Sequence, residues 1–355
     1  MSAEPTPAVP HILDINSKAL TQAVRPFIAE IRWKSWFAVI STLLITGLAL
    51  TYAALPLWWP LRLLAGTVAG LLLVRCFILY HDFLHGSILA RSRWATGLMH
   101  GIGAILLVPA RSWRKSHNYH HAHVGKPSQS HVGSFVIMSL EEWQQASTLE
   151  RLIYRFSRHW LVFLSAYFTV FALNVCIMPL LRNPRRHWDS AIVLLVHVGL
   201  LAGLFLLGGW SMLLFTAAIP LFVASTTGAY LFYVQHSFDG IHIADESNWK
   251  RTNAALETSS YLHTGPIMRY FSGNIGYHHV HHADHRIPFY RLPEAMAAVP
   301  ELTPRSRITL SPATIWRSLQ LHVWDARQGT MITLRQARKS LRTDTEATAL
   351  PAAAA

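Results

Sequence analysis

Histidines occur in three tight clusters, and their spacing is the strongest chemical signal in the chain. The clusters read HDFLH at residues 81–85, HNYHH at residues 117–121 and HHVHH at residues 278–282. Spacings of i, i+3 and i+4 bring side chains together on one face of a helix. Two HxxHH triplets and an HxxxH pair exceed what 21 histidines in 355 residues would give by chance. Because imidazole is a common ligand of first-row metals, the clusters predict helices whose histidines converge on bound metal.

The rest of the sequence limits which residues could form the metal site. The chain has two cysteines, Cys76 and Cys176, and both lie in apolar stretches rather than in a CxxC pair. This excludes a thiolate zinc site or an iron–sulfur cluster built from this chain alone. The ExxH pair of carboxylate-bridged di-iron bundles is also missing. The sequence therefore favours an all-histidine site for two metal ions, with acids such as Asp82 in a supporting role.

Several polar residues near the clusters are interpreted as local or supporting. His279 lies between predicted ligands but off the shared helix face, and Asn274 could approach a metal through a water molecule. The same supporting or local role is predicted for His123, His131, His242, His263 and His285.

Composition places the clusters in a membrane protein. Hydrophobic residues make up 52% of the chain and charged residues 14%, whereas about a quarter of a soluble domain is charged. Apolar stretches of about twenty residues are long enough to cross a bilayer. The prediction is an all-α integral membrane protein with about four transmembrane helices, additional interfacial helices and a cytoplasmic, histidine-rich helical cap.

Charge patterning orients these helices. Basic residues lie on the open side of the first hairpin, which the positive-inside rule places in the cytoplasm. Basic residues flank 160–181 on both sides, so this stretch is predicted to lie in the interface without crossing. The predicted regions are a cytoplasmic N-terminal segment (1–35), a first transmembrane hairpin (36–80), a cytoplasmic region with the first two clusters (81–159), an interfacial helix and loop (160–189), a second transmembrane hairpin (190–235), and a cytoplasmic region with the third cluster and a C-terminal tail (236–355).

At these residues the chain resembles the membrane-bound fatty acid desaturase family. The similarity covers roughly residues 58–332, and its main segments are RCFILYHDFLHGS (75–87), VPARSWRKSHNYHH (108–121), LFYVQHSF (231–238) and GNIGYHHVHHADHRIPFYRL (273–292). Two departures bear on substrate preference. Phe83 and Leu84 stand inside the first cluster, where many relatives have small residues. Ser237 and Asp239 follow His236, where an acidic stretch is common.

The resemblance implies an oxygen-dependent enzyme that introduces a cis double bond into a fatty acyl chain. It implies two iron ions, O2 as co-substrate and no catalytic residue beyond the metal ligands. By position, the implied ligands are His81, His85, His117, His120, His121, His236, His278, His281 and His282. Two alternatives stay open: a carotenoid or other lipid hydroxylase or ketolase using the same site, and a histidine-rich metal transporter or sensor.

The same interpretation sets the expected partners. Reducing O2 to water takes two electrons more than the substrate supplies, and no flavin or cytochrome b5 motif is present, so an external ferredoxin or cytochrome b5-like donor is expected. The substrate would be a fatty acyl lipid, an acyl-CoA or an acyl-carrier protein. The net charge of +13 is spread around the apolar stretches, which favours contact with membrane lipid and argues against nucleic acid. The predicted location is multi-pass, in a bacterial cytoplasmic (inner) membrane.

Overall fold

A computed structural model describes residues 15–129 and 132–340 as a largely helical protein. The α-helices are α1 (Ser17–Ile28), α2 (Arg32–Ala54), α3 (Trp59–His85), α4 (Arg93–Ile105), α5 (Ala110–His123), α6 (Leu140–Gln145), α7 (Thr148–Ser157), α8 (Trp160–Leu164), α9 (Met178–Arg182), α10 (Trp188–Leu213), α11 (Ile219–Val234), α12 (Arg251–Glu257), α13 (Pro266–Phe271), α14 (His278–Ala283), α15 (Leu292–Ala298) and α16 (Pro312–Gln320). Two π-helical stretches, Tyr167–Ile177 and Leu214–Ala218, join α8 to α9 and α10 to α11. His131, residues 1–14 and the tail after residue 340, all covered by the sequence predictions, lie outside the described residues.

The predicted helical membrane fold is confirmed, with a small sheet content that was not predicted. The short strands are β1 (Met138–Ser139), β2 (Tyr261–His263), β3 (Arg307–Thr309), β4 (Leu321–Asp325) and β5 (Thr330–Thr333). Strand β4 pairs in parallel with β1 and antiparallel with β5, while β2 and β3 form a separate parallel pair. These strands tie the segment after α5 to the C-terminal part of the chain.

Within the described residues, three helical stretches are long and apolar enough to cross a membrane: α2, α3 and the continuous stretch Trp188–Val234. The last has 47 residues and would measure about 70 Å as one straight helix, more than twice the roughly 30 Å of a hydrocarbon core. It is broken at Gly208 and Gly209, whose backbones are non-helical. Gly209 has φ 61° and ψ −156°, a conformation open mainly to glycine.

Contacts at both ends show that this long stretch doubles back. At its start, the Asp189 carboxylate accepts a hydrogen bond from the Arg111 backbone N–H of α5, at 2.9 Å. Near the break, Arg62 at the start of α3 donates to Ser211 Oγ at 2.7 Å and to the Ala53 carbonyl at 2.9 Å. At its end, the chain reaches His236 beside the histidines of α5. The two arms therefore run in opposite directions, as the predicted second hairpin requires.

Close packing of α2, α3 and α11 forms the core of the apolar region. Gly70 of α3 lies against α11 so tightly that an added Cβ would be 2.6 Å from Val223 Cβ and 2.7 Å from the Pro220 carbonyl oxygen. Small residues at such positions let helix backbones approach in a membrane, where dispersion contacts drive association. This packing sets α3 and α11 side by side, with both C-terminal ends at the histidine-rich cap.

The helical segment after α8, which ends with α9, is shorter than a membrane span. Residues 167–182 form one apolar helical segment of 16 residues, equivalent to about 24 Å. Its side chains are fastened to neighbouring helices: Cys176 Sγ donates to the Leu107 carbonyl at 3.0 Å, and Tyr167 Oη lies 2.8 Å from His197 Nε2. That this region lies in the interface without crossing stays a prediction.

Candidate metal centre

The first histidine cluster occupies the last two turns of α3. His81 and His85 lie four residues apart, and the helix ends at Gly86 in the left-handed conformation, φ 76°. The sequence prediction ended the apolar span at residue 80, whereas the helix continues through the cluster. His81 Nδ1 lies 3.1 Å from Asp82 Oδ1, and Asp82 Oδ2 accepts the backbone N–H of Phe289 at 2.7 Å. The carboxylate thus joins the first cluster to the loop after the third.

The second cluster lies on α5 and the third on α14, each with spacing i, i+3, i+4. Successive residues of an α-helix are rotated by about 100°, so positions i and i+4 diverge by about 40°. Position i+3 lies about 100° away from position i+4. A triplet of this kind therefore presents one aligned pair and a third side chain aimed to the side.

The structure brings all nine predicted histidines together, in two adjacent groups. Within each group, one ring nitrogen from every residue lies within 4.8 Å of the others. Group one is His81, His85, His117, His121 and His281, and group two is His120, His236, His278 and His282. On α5, the aligned pair belongs to group one and the third histidine belongs to group two. On α14, the aligned pair belongs to group two and the third histidine belongs to group one. The clusters of α5 and α14 are therefore each divided between the two groups, because position i+3 points away from the aligned pair, whereas the first cluster lies wholly in group one.

Neighbouring rings within each group are in direct contact through their Nε2 atoms. The Nε2–Nε2 distances run from 2.9 Å for His81–His117 and His236–His278 to 3.2 Å for His85–His81. The two groups share a wall, since the rings of His121 and His282 stack at 4.2 Å between centroids.

Burial keeps seven of these imidazoles uncharged. It lowers the pKa of His236 to about 4, against about 6.5 for an ordinary histidine. Burial, followed by the effect of neighbouring histidines, lowers the pKa of the other cap imidazoles well below that value: His117, His120, His121, His278, His281 and His282. Neutral imidazole is the form that binds a metal, so at neutral pH no proton has to leave first.

The donor set fits metal ions. His81 directs Nδ1 to Asp82, and His236 Nδ1 donates to the Thr258 carbonyl at 2.9 Å. With the ring proton on Nδ1, Nε2 presents a lone pair toward its group, and such outer contacts hold a ligand ring in place. A cation between converging lone pairs would be stabilised by all of them at once. Imidazole nitrogen suits iron, zinc, copper and nickel alike, so the donors define a transition-metal site without selecting the element.

Trp113 is a site residue that the sequence analysis missed. Its ring stacks on His117 at 4.2 Å between centroids and 23° between planes, and it also meets Phe77 edge-on at 5.8 Å. Trp113 lies four residues before His117, so the same i, i+4 spacing could have identified it. Thr258, by contrast, carries no sequence signal, because its carbonyl reaches His236 only through the fold.

The histidines predicted to have a supporting or local role lie outside both groups, among those that the structure describes. His279 Nε2 lies 2.9 Å from the Leu302 carbonyl, and Asn274 donates from Nδ2 to the Phe289 carbonyl at 3.0 Å. His285 comes closest to the site, with its ring 4.7 Å from that of His85. The remaining described residues of this class are His123, His242 and His263.

Two openings adjoin the groups. A cavity of about 440 Å³ has His120 and His236 in its wall and Glu141 and Glu142 of α6 among its other lining residues. A narrow apolar slot runs between α3, α11 and the π-helix 167–177, lined by Leu73, Val74, Phe77, Leu106, Tyr167, Phe171, Leu221, Ala224, Ser225 and Gly228. Phe77 connects this slot to the site, since its ring lies 6.4 Å from that of His81.

The fold and the site define a helical membrane protein with two adjoining, all-histidine groups suited to metal ions. A profile of the family described as fatty acid desaturase matches residues 56–314. The chain belongs to the fatty acid desaturase family, so the resemblance stated from the sequence is confirmed, and the protein is an enzyme of the oxidoreductase class.

Individual relatives are similar in sequence to this chain over most of their length. The chain is 29% identical to a fatty acid desaturase of Bacillus subtilis (strain 168), over 87% of this chain and 88% of the relative. It is 26% identical to an sn-1 acyl-lipid omega-3 desaturase (ferredoxin) of Nostoc sp. (strain 36), over 90% and 88%. It is 24% identical to an sn-1 oleoyl-lipid 12-desaturase of Synechocystis sp., over 76% of each chain.

Proposed function

We propose that the protein is an oxygen-dependent desaturase that introduces a cis double bond into a fatty acyl chain at a di-iron site. The observation that carries the proposal is the pair of adjoining groups of five and four imidazoles, all but His85 fully buried. Two metal ions side by side, held by neutral ligands, suit a reaction on O2 better than the transport or sensing of a single ion. Family membership favours iron among the metals that imidazole binds.

In this proposal, group one and group two each hold one iron ion. The bound irons would supply the reductive activation of O2 that removal of hydrogen from an unactivated methylene requires. The protein's own contribution would be to position the ligand histidines and to shield both groups from water. Burial excludes water from both groups, Asp82 orients His81, and the Thr258 carbonyl orients His236. No further side chain is needed as acid or base.

The apolar slot is the proposed path of the acyl chain. Its lining side chains are almost all apolar, so a hydrocarbon chain would stay in an apolar environment there, but the slot has room for only about 20 Å³ and its walls would have to move apart to admit the chain. Phe77 and Trp113 meet where the slot reaches His81, which would hold one pair of methylene carbons beside group one. Relatives named acyl-lipid desaturases support a lipid-borne acyl chain as substrate.

An external one-electron donor completes the electron balance, because O2 takes four electrons and the substrate supplies two. One relative's name specifies ferredoxin. The proposed docking surface is the edge of group one, where His85 and His285 are partly exposed. Exposed arginines lie nearby: Arg251 near His285 and Arg114 near His85. Arg286 is also exposed, but its guanidinium pairs with the Asp284 carboxylate at 2.7 Å. Positive charge at this edge favours an acidic donor protein.

The proposed setting is a bacterial cytoplasmic membrane, crossed several times, with the histidine-rich cap in the cytoplasm. Arg91, Arg93 and Arg114 lie on the cap side of α3, and the positive-inside rule places such residues in the cytoplasm. A soluble donor protein and its reductase would have access to that side.

Expression in a host whose lipids are saturated and monounsaturated tests the proposal. Fatty acids from cells with the wild-type chain should contain a new double bond, located by mass spectrometry, when oxygen, iron and a ferredoxin system are supplied. The variant His278→Ala should insert into the membrane and give no product. Hydroxylated or keto lipids would instead support the lipid hydroxylase or ketolase alternative. An unchanged profile from a fully metal-loaded chain with a working donor would refute desaturation.

A further inference from the structure

Arg158 is the largest fully buried side chain in the described part of the molecule, with 0% of its surface exposed. It follows directly after α7. None of the hydrogen bonds or ion pairs described for it involves a carboxylate, and its Nε has no partner among the described residues. A buried charge is costly unless hydrogen bonds replace its hydration. The contacts of Arg158 therefore indicate what the residue does.

The guanidinium of Arg158 joins three distant parts of the chain. Nη1 donates to the Val136 carbonyl at 2.7 Å, just before β1. Nη2 donates to Ser237 Oγ at 2.8 Å, to the Leu321 carbonyl of β4 at 3.2 Å and to Tyr233 Oη at 3.3 Å. The planar fork of arginine can serve several acceptors at once, which lysine, with a single ammonium group, cannot do in the same geometry.

Aromatic rings complete the enclosure of this charge. The guanidinium carbon of Arg158 lies 5.0 Å from the ring centre of Tyr233 and 5.5 Å from that of Tyr154. Both distances are within the range of cation–π attraction. Tyr233 is fixed in turn, since its hydroxyl donates to the Ser318 carbonyl at 3.0 Å.

Two of these partners flank a member of group two. Tyr233 lies three residues before His236, and Ser237 follows it directly. His236 is also the one histidine of the nine that lies outside a helix, because α11 ends at Val234. The other eight come in pairs or triplets on α3, α5 and α14, where the helix backbone itself sets their spacing.

We infer that Arg158 is a positioning residue for His236: its guanidinium clamps the chain on both sides of His236 and so sets the geometry of group two. The inference deepens the proposed function and rests on metal binding by the two groups. The Thr258 carbonyl orients the ring of His236, while Arg158 places the backbone that carries it. Group one has no member next to a contact of Arg158 and should not depend on this clamp.

Cobalt(II) titration of the purified, metal-free full-length chain in detergent tests this without turnover, with affinity read from the visible absorption of bound Co²⁺. The titration is run in two backgrounds: the double variant His81→Ala/His85→Ala, which removes the α3 ligands of group one and leaves group two intact, and the double variant His120→Ala/His282→Ala, which halves group two and leaves group one intact. Arg158→Gln should weaken Co²⁺ binding at least tenfold in the first background and leave it unchanged in the second. Arg158→Lys should weaken group two less, and Ser237→Ala less again. Arg155→Gln, at an exposed arginine near the end of α7, is the control and should change neither.

The outcomes separate the inference from the proposed function. Equal loss of Co²⁺ affinity in both backgrounds would show that Arg158 stabilises the fold in general and would overturn the inference. Unchanged Co²⁺ affinity in both backgrounds would also overturn it. If Arg158→Gln does not yield folded protein, Arg158→Lys and Ser237→Ala decide between the same results. A wild-type chain that binds neither cobalt nor iron would overturn the proposed function and the inference together. A wild-type chain that binds two ions and desaturates, with variants of full group-two affinity, would overturn the inference alone.

Discussion

Adjacent histidines of this protein belong to different metal groups. His120 and His121 follow one another on α5, yet the first contacts His236 at 3.1 Å and the second contacts His281 at 3.1 Å. The 100° step of the helix separates them, so one turn of α5 serves both groups. The same division on α14 runs in the opposite sense, which makes the two helices complementary walls of one site.

Replacing either residue of this adjacent pair should therefore weaken the binding of a different metal ion. His121→Ala should weaken group one, which keeps four histidines, and leave group two unchanged, while His120→Ala should weaken group two, which keeps three, and leave group one unchanged. If both groups hold iron as proposed, iron content per chain should fall below two in each case, and the Mössbauer spectrum that remains should differ between the variants. His123→Ala is the matched control, because its Nδ1 contacts the Tyr119 carbonyl instead of a group. Identical residual spectra would contradict the division.

At the scale of helices and turns, the break in the stretch Trp188–Val234 decides the shape of the membrane region. Gly209 has positive φ, and an added Cβ there would meet no atom within 4 Å. The need for glycine at this position is therefore a matter of backbone conformation and not of space. Gly203, six residues earlier in α10, also has open space around an added Cβ and no positive φ.

This pair of glycines allows a clean comparison. Gly209→Ala should destabilise the protein by about 1–3 kcal/mol, the usual cost of forcing a residue with Cβ into such a conformation. Gly203→Ala should be neutral or slightly stabilising, because alanine is favoured over glycine inside a helix. The thermal midpoint of the detergent-solubilised protein measures both effects. Equal midpoints for the two variants would show that the chain does not turn back at Gly209.

For the whole molecule, the decisive property is that all nine histidines lie at the same end of the apolar helices. Group one draws on segments before and after the long apolar stretch, since His281 contacts His121 across 160 positions of the chain. An odd number of crossings between them would place these residues on opposite membrane faces. The doubling back at Gly208 and Gly209 removes that conflict, provided that residues 160–182 do not cross.

Cysteine labelling in intact cells checks this arrangement. Ser211→Cys, near the break, should react with a membrane-impermeant maleimide from outside the cell. Arg185→Cys, before α10, should react only after the membrane is permeabilised. The native Cys76 and Cys176 are buried, so the unsubstituted chain should give little background. Labelling of position 185 from outside would refute the four-crossing arrangement.

Patterns within single segments were enough to predict metal-binding helices and a membrane fold. Histidine spacing indicated helices that present metal ligands, the lack of CxxC and ExxH pairs argued against other donor sets, and long apolar stretches indicated a membrane fold. These signals are readable because helix periodicity and bilayer thickness act on neighbouring residues of one segment.

How the histidines are shared between the groups and held in place depends on tertiary packing. The division of the second and third clusters between two groups depends on which helices face α5 and α14, and no spacing within one helix records that. The clamp of Arg158 on both sides of His236 joins residues 79 positions apart, and Thr258 reaches the same histidine from another segment. Such contacts arise from the packing of distant segments, so a pattern confined to one segment cannot predict them.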